Sequence, residues 1–152
     1  MQLANAAGDV ATIALGHALG KELGNRVCAR LSGSPGVREA AAEAVTRELA
    51  TELATVGLGT FGFEQWGRAL VATVDDAPEG GDVLLGAIVE SMIAAATGRE
   101  LLRTHKLSRD GARLRLLVAN VTSIERVVSW MAGGAAWGDA VTRLHAPRGE
   151  GA

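Results

Sequence analysis

Between Asp82 and Ala119 an almost wholly apolar helix, a glycine stop and a compact basic hairpin follow one another without a spare residue. Asp82 is placed to cap a helix through Val83-Leu84-Leu85-Gly86-Ala87-Ile88-Val89 to Ala94-Ala95-Ala96, and Gly98 supplies the left-handed residue that ends it. A segment apolar on nearly every side must be buried on nearly every side. It therefore belongs at the centre of an α+β domain, with strands on one flank and helices, or a second copy of itself, on the other.

The neighbouring segments supply those layers. Leu101 to Leu107 runs out, Ser108-Arg109-Asp110-Gly111 turns and Ala112 to Ala119 returns, Asp-Gly being a strong hairpin signal. On the return strand Leu114, Leu116 and Val118 alternate with Arg113, Arg115 and Leu117, which predicts one buried face and one mostly basic face. Upstream, Thr60-Phe61-Gly62-Phe63 and Leu70 to Val74 read as two short strands joined by a turn around Glu64–Gly67. The acidic loop Asp75–Gly81 lacks the alternating ligand spacing of a calcium site and reads as solvated.

A first helix is predicted from about Gly8 to Leu31, with Leu15, Leu19, Leu23, Val27 and Leu31 on one stripe and Gly16, Gly20 and Gly24 on the next. Each glycine costs a helix roughly 1 kcal/mol against alanine, so three at this spacing point to a groove where another helix packs closely. That helix could belong to the same chain or to a second subunit, which makes the three glycines candidate interface residues. Ser34 and Pro35 suit the N-cap and first position of a second helix. Val37, Ala41, Val45, Leu49 and Leu53 face inward along it, opposite Glu39, Glu43, Arg47 and Glu52. A last helix opens with the capping-box pattern Thr122-Ser123-Ile124-Glu125 and runs towards Leu144, with a weak point at Gly133-Gly134. The fold class is thus α+β in the order α-α-β-β-α-β-β-α, an antiparallel sheet packed on helices. Residues 1–145 form a single domain and 146–152 a disordered tail.

The chain of 152 residues is long enough to bury a core without staples. A net charge of −2 favours neither nucleic acid nor an anionic membrane. The N-terminus lacks a secretory pattern, and both apolar runs are shorter than the roughly 20 residues that span a bilayer. The single cysteine, Cys28, excludes an internal disulfide framework and points to a reducing, cytoplasmic setting.

The path from the first helix through the central helix into the hairpin resembles the superfamily of 4-vinyl-reductase-type hydrocarbon-binding domains and TRAPP trafficking subunits. The likeness is best over Leu84 to Ile93, then Ala96-Thr97-Gly98-Arg99-Glu100 and the paired strands, and fainter along Ala14 to Arg30. The resemblance implies a helix-mediated homodimer and, in many members, an apolar cavity between helices and sheet for a lipid-like or aromatic ligand. Two departures matter. The hairpin 106–112 has no cysteine pair, so no metal site transfers, and Cys28 lies inside a helix instead of the loop where some trafficking subunits are acylated.

Glu90 is the odd residue of the central helix, able to meet a ligand's polar end or act as an acid in an enclosed pocket, or to lie on a small-residue stripe facing solvent or a partner. Aromatics make up only 3% of the chain, so Phe61, Phe63 and Trp66 are the large side chains available to shape a ligand site beside it. Trp130 and Trp137 flank Gly134 and could anchor a partner or pack back on the domain. Arg99, Arg103, Lys106, Arg109, Arg113 and Arg115 could hold an acidic protein partner, or guard strand edges. His17, His105 and His145 fit no short metal-ligand spacing, and neither a nucleophile elbow nor a phosphate loop occurs, so no cofactor is implied. The expectation is a non-enzymatic homodimer that binds a small apolar ligand or acts as a sensory adaptor. The alternatives are a protein-interaction scaffold with a filled core and, third, an enzyme using Glu90.

Overall fold

The computed structural model describes residues 2–31, 41–67 and 69–144, with side chains from Gly8 in the first stretch and from Ala44 in the second. Helices α1 (Gln2–Leu31) and α2 (Ala41–Thr55) precede a hairpin of β1 (Thr60–Trp66) and β2 (Ala69–Asp75). Then come α3 (Asp82–Thr97), a second hairpin of β3 (Arg103–Asp110) and β4 (Arg113–Ala119), and the helices α4 (Val121–Ala132) and α5 (Trp137–Arg143). This is the expected α+β order, with the last helix divided at Gly133-Gly134. The strands form one antiparallel sheet in the order β1-β2-β4-β3, which leaves β1 and β3 as its edges. The expectations for Ser34, Pro35, Val37, Glu39, the Glu43 side chain, His145 and the tail 146–152 lie outside the described residues.

The central helix is buried because its sequence leaves it no other place. Leu85, Ile88, Val89 and Met92 are inaccessible to solvent and share one core with Phe61 of β1, Ala72 and Val74 of β2, and Leu114, Leu116 and Val118 of β4. Gly98 ends the helix at φ 72°, its N–H donating to the Ala94 carbonyl. On the other flank lies α1. A Cβ built on Gly16 would stand 2.6 Å from Ala87 Cβ, one on Gly20 2.3 Å from the Ile88 carbonyl oxygen, and one on Gly24 2.4 Å from that of Met92. Contacts that climb both helices together mean that α1 and α3 run parallel, backbone almost on backbone. Of the two occupants open to the stripe, a helix of the same chain and one of a second subunit, it is the chain's own α3 that fills it. Leu49 and Leu53 of α2 enter the same core.

Several local expectations are corrected. Asp82 does not cap α3, because Gly81 holds the N-cap position and the Asp82 carboxylate goes instead to cationic donors on β3. Glu52, expected to face solvent, is buried between α1 and α2 and accepts from Arg30 Nη1. The first hairpin turns later than expected: β1 continues to Trp66, which pairs with Ala69, and Gly67 takes φ 63° in the two-residue connection. The second turns at Gly111-Ala112, with Asp110 opposite Arg113 and a register shift between Lys106 and Ser108. Asn120, not Thr122, caps α4, its side-chain oxygen accepting from the Ser123 N–H at 2.8 Å.

The second face of the sheet is covered too. Gly134, at φ 104°, lets the chain fold back so that α4 and α5 seal Val71, Leu107 and Leu117 beneath Val127, Ala140 and Val141. The face of β4 expected to be mostly basic thus contains a fully buried leucine, Leu117, and an arginine, Arg115, whose side chain is only 13% exposed.

Candidate functional site

Glu90 sits on α3 one turn after Gly86 and Ala87, and those two small residues leave a groove between the first half of α1, the start of α3 and β3. The groove has a volume of about 400 Å³. Ile13, Val83, Ala87 and Leu116 form apolar walls, while His17, Glu90, Thr104, His105 and the paired Asp82 and Lys106 supply polar groups. On the far side of Glu90 a second cleft of about 650 Å³ is lined by Lys21, Asn25, Ser91 and Arg103. His17 and Glu90 line both, so their contact is the partition between them.

The carboxylate of Glu90 ties three elements together. Oε1 accepts from His17 Nε2 on α1 at 3.1 Å, and Oε2 accepts from the backbone N–H of Thr104 on β3 at 2.9 Å. Thr104 Oγ1 donates to the Gly86 carbonyl at 2.9 Å, and Ser91 Oγ to the His17 carbonyl at 2.7 Å. A buried carboxylate needs such donors, and here both oxygens have one. Glu90 is 18% exposed and His17 45%, so an incoming group meets the imidazole first.

Among the described residues Ser91 Oγ donates to the His17 carbonyl, and Cys28 is exposed eleven residues beyond His17 on the same helix, so neither faces the imidazole as a nucleophile. Among the described residues no group of three His, Cys, Asp or Glu could hold a metal ion. The participation of His17, Thr104 and His105 was not legible in sequence. The only local sign is that His17 follows Gly16, beside the stripe on which α3 is seated.

Other expected site residues are placed elsewhere. Phe61 and Phe63 stack edge to face at 4.9 Å on the α3 side of the sheet, whereas Trp66 lies on the opposite side against Trp137 at 4.7 Å. Strand alternation separates them, and none lines the groove of Glu90. Trp137 also carries the Arg115 guanidinium at 5.2 Å, and Trp130 lies under those of Arg126 at 5.1 Å and Arg143 at 4.9 Å. Both indoles pack back on the domain in place of forming an open anchor.

The basic hairpin finds its acids within the chain. Arg109 and Lys106 bind Asp82, Arg113 binds Asp75, and Arg115 binds Glu64 and Asp110. Arg109, through its hydrogen bonds, holds the Asp82 carboxyl below the ordinary aspartate range, with Lys106 adding to the effect. Asp82 and Asp75 in turn raise Arg109 and Arg113. Of the six cations only Arg99 and Arg103 meet no carboxylate among the described residues, and Arg103 donates to the carbonyls of Glu100 and Leu102. The patch, open to an acidic partner or to a role in guarding strand edges, is therefore largely neutralised within the chain.

Among the described residues nothing covers one apolar surface. The outer side of α1 from Val10 to Ala18 presents Val10, Ala11, Ala14, Leu15 and Ala18, all exposed, Val10 by 69% and Leu15 by 62%. Among the described residues no helix is long and apolar enough to cross a membrane. Comparison of the chain with protein-family models, with curated proteins and with solved structures finds no match.

Proposed function

We propose that the protein is a non-enzymatic ligand-binding or sensory adaptor domain acting as a homodimer, with the groove over Glu90 as its ligand site. The observation that carries this reading is the groove itself, apolar walls set between the bonded carboxylate and imidazole of Glu90 and His17 and the ion pair of Asp82 and Lys106. Such a lining suits a small molecule with an apolar body and one polar end. The body lies along Ile13, Val83 and Leu116, and the polar end reaches the exposed ring of His17. The resemblance to hydrocarbon-binding domains supports the same class of ligand. Native mass spectrometry of freshly purified protein tests it. A retained small molecule is expected, lost in Val83→Glu; a bare mass for the wild type in every preparation would remove the ligand reading.

A second reading, a protein-interaction scaffold, is favoured by the uncovered apolar side of α1. Exposed apolar patches of this kind mark contact surfaces for other proteins. Val10→Glu with Leu15→Glu would then abolish partner capture while leaving the groove and its ligand untouched.

A further inference from the structure

The two edges of the sheet are finished differently. At β3 the N–H of Thr104 is taken by Glu90, the register breaks between Lys106 and Ser108, and Lys106 and Arg109 fold back onto Asp82. Captured amides, bulges and charged side chains are the means by which an exposed strand avoids pairing with a neighbour. β1 has none of them. Its register with β2 is unbroken from Thr60 opposite Asp75 to Trp66 opposite Ala69, and it contains neither lysine, arginine nor proline. Its one charged residue, Glu64, is bonded to Arg115 inside the same sheet. Among the described residues the backbone of β1 hydrogen-bonds to β2 alone, so alternate N–H and C=O groups point away from the sheet unpaired.

We propose that β1 is a strand-addition edge and that its occupant is β1 of a second copy of this chain, antiparallel about a two-fold axis at Phe63. The proposal rests on the homodimer reading above and moves its interface from the helices, where the resemblance puts it, to the sheet edge. A dimer through the glycine stripe is closed off, since α3 fills it. Pairing about Phe63 sets Thr60 opposite Trp66, Phe61 opposite Gln65 and Gly62 opposite Glu64. Each Glu64 thus faces a glycine, whereas an axis at Glu64 would oppose two carboxylates. Phe63, half-buried and edge-on to Phe61, gains a cross-strand aromatic neighbour in its own copy. The same operator makes the contact self-complementary and closed, as a two-fold dimer requires.

Light scattering over a concentration series tests the edge with Thr60→Lys/Gln65→Lys, both at exposed positions. The wild type is expected to be a dimer and the edge variant to need at least tenfold more protein to associate, while Val10→Glu/Leu15→Glu on α1 stays dimeric. A wild type that is monomeric throughout would end the homodimer reading and this proposal together. A dimer indifferent to the edge lysines would overturn the edge and leave the homodimer standing. Deuterium exchange on the unaltered chain gives an answer independent of any variant. Amides within 60–66 should exchange more slowly at high than at low concentration, and equal rates there would overturn the proposal.

Discussion

Arg109 closes on Asp82 with two donors, Nε and Nη2 both reaching Oδ1, while its Nη groups also bind the carbonyls of Ala77 and Pro78. A single guanidinium on β3 thereby fixes the first residue of α3 and the loop that leads into it. Lys106 holds the other carboxylate oxygen at 2.6 Å. The loop expected to be solvated is in fact one side of a clamp.

The clamp gives stability an acid limb. Asp82 titrates lower in the folded chain than in the unfolded one, where aspartate has its ordinary pKa of about 3.9. Its contribution is therefore complete above that value and lost as pH falls through it towards the depressed folded value. Urea denaturation between about pH 6 and pH 3 should show the wild type losing stability on acidification. Asp82→Asn should be less stable at neutral pH and show a shallower acid decline.

Gly20 and Gly8 make a paired test of the α1–α3 seat. Gly20→Ala would place its methyl against the Ile88 carbonyl, and overpacking against backbone should cost about 1–3 kcal/mol despite the better helix propensity. Gly8 has no atom within 4 Å of a built Cβ, so Gly8→Ala should be neutral or gain up to about 1 kcal/mol. Denaturant midpoints of the two variants should move in opposite directions.

Removing Glu90 should expose the amide it shelters. Glu90→Ala leaves the Thr104 N–H without its acceptor, at a cost of about 1–3 kcal/mol, and hydrogen exchange at that amide should accelerate. Glu90→Gln retains one carbonyl acceptor and should keep Thr104 protected. Equal exchange in all three proteins would mean that the carboxylate does not guard the strand.

The start of α4 can be checked by substitution at two candidates separated by one residue. Asn120→Ala should cost about 1 kcal/mol through loss of the Ser123 bond, whereas Thr122→Ala should change the thermal midpoint little.

What the sequence disclosed was whatever period and turn chemistry encode locally. The burial of Leu85, Ile88 and Met92, the stop at Gly98 and the break at Gly133-Gly134 follow from neighbouring residues alone. Asp82 was misread because a capping signal is local, while its actual partner is 27 positions away on a different element. Glu90 stood out as a charge on an apolar helix, yet His17 lies 73 positions off and nothing near either residue announces the other. The scarcity of aromatics groups Trp66 with Phe61 and Phe63, but composition says nothing of which side of a sheet each side chain takes. With the strand continued to Trp66, alternation alone assigns the indole to the opposite side.

The seat of α1 on the backbone of residues 84–96 also fixes when α1 can be completed. During synthesis this helix emerges well before the surface that receives it, and four interior glycines, Gly8, Gly16, Gly20 and Gly24, make it a weak helix in isolation. Its docking must wait for a long loop to close, which delays α1 until α3, made later, is in place. Until then its leucine stripe and its outer apolar side are both bare, so the nascent chain passes through a stage more open to association than the finished domain is.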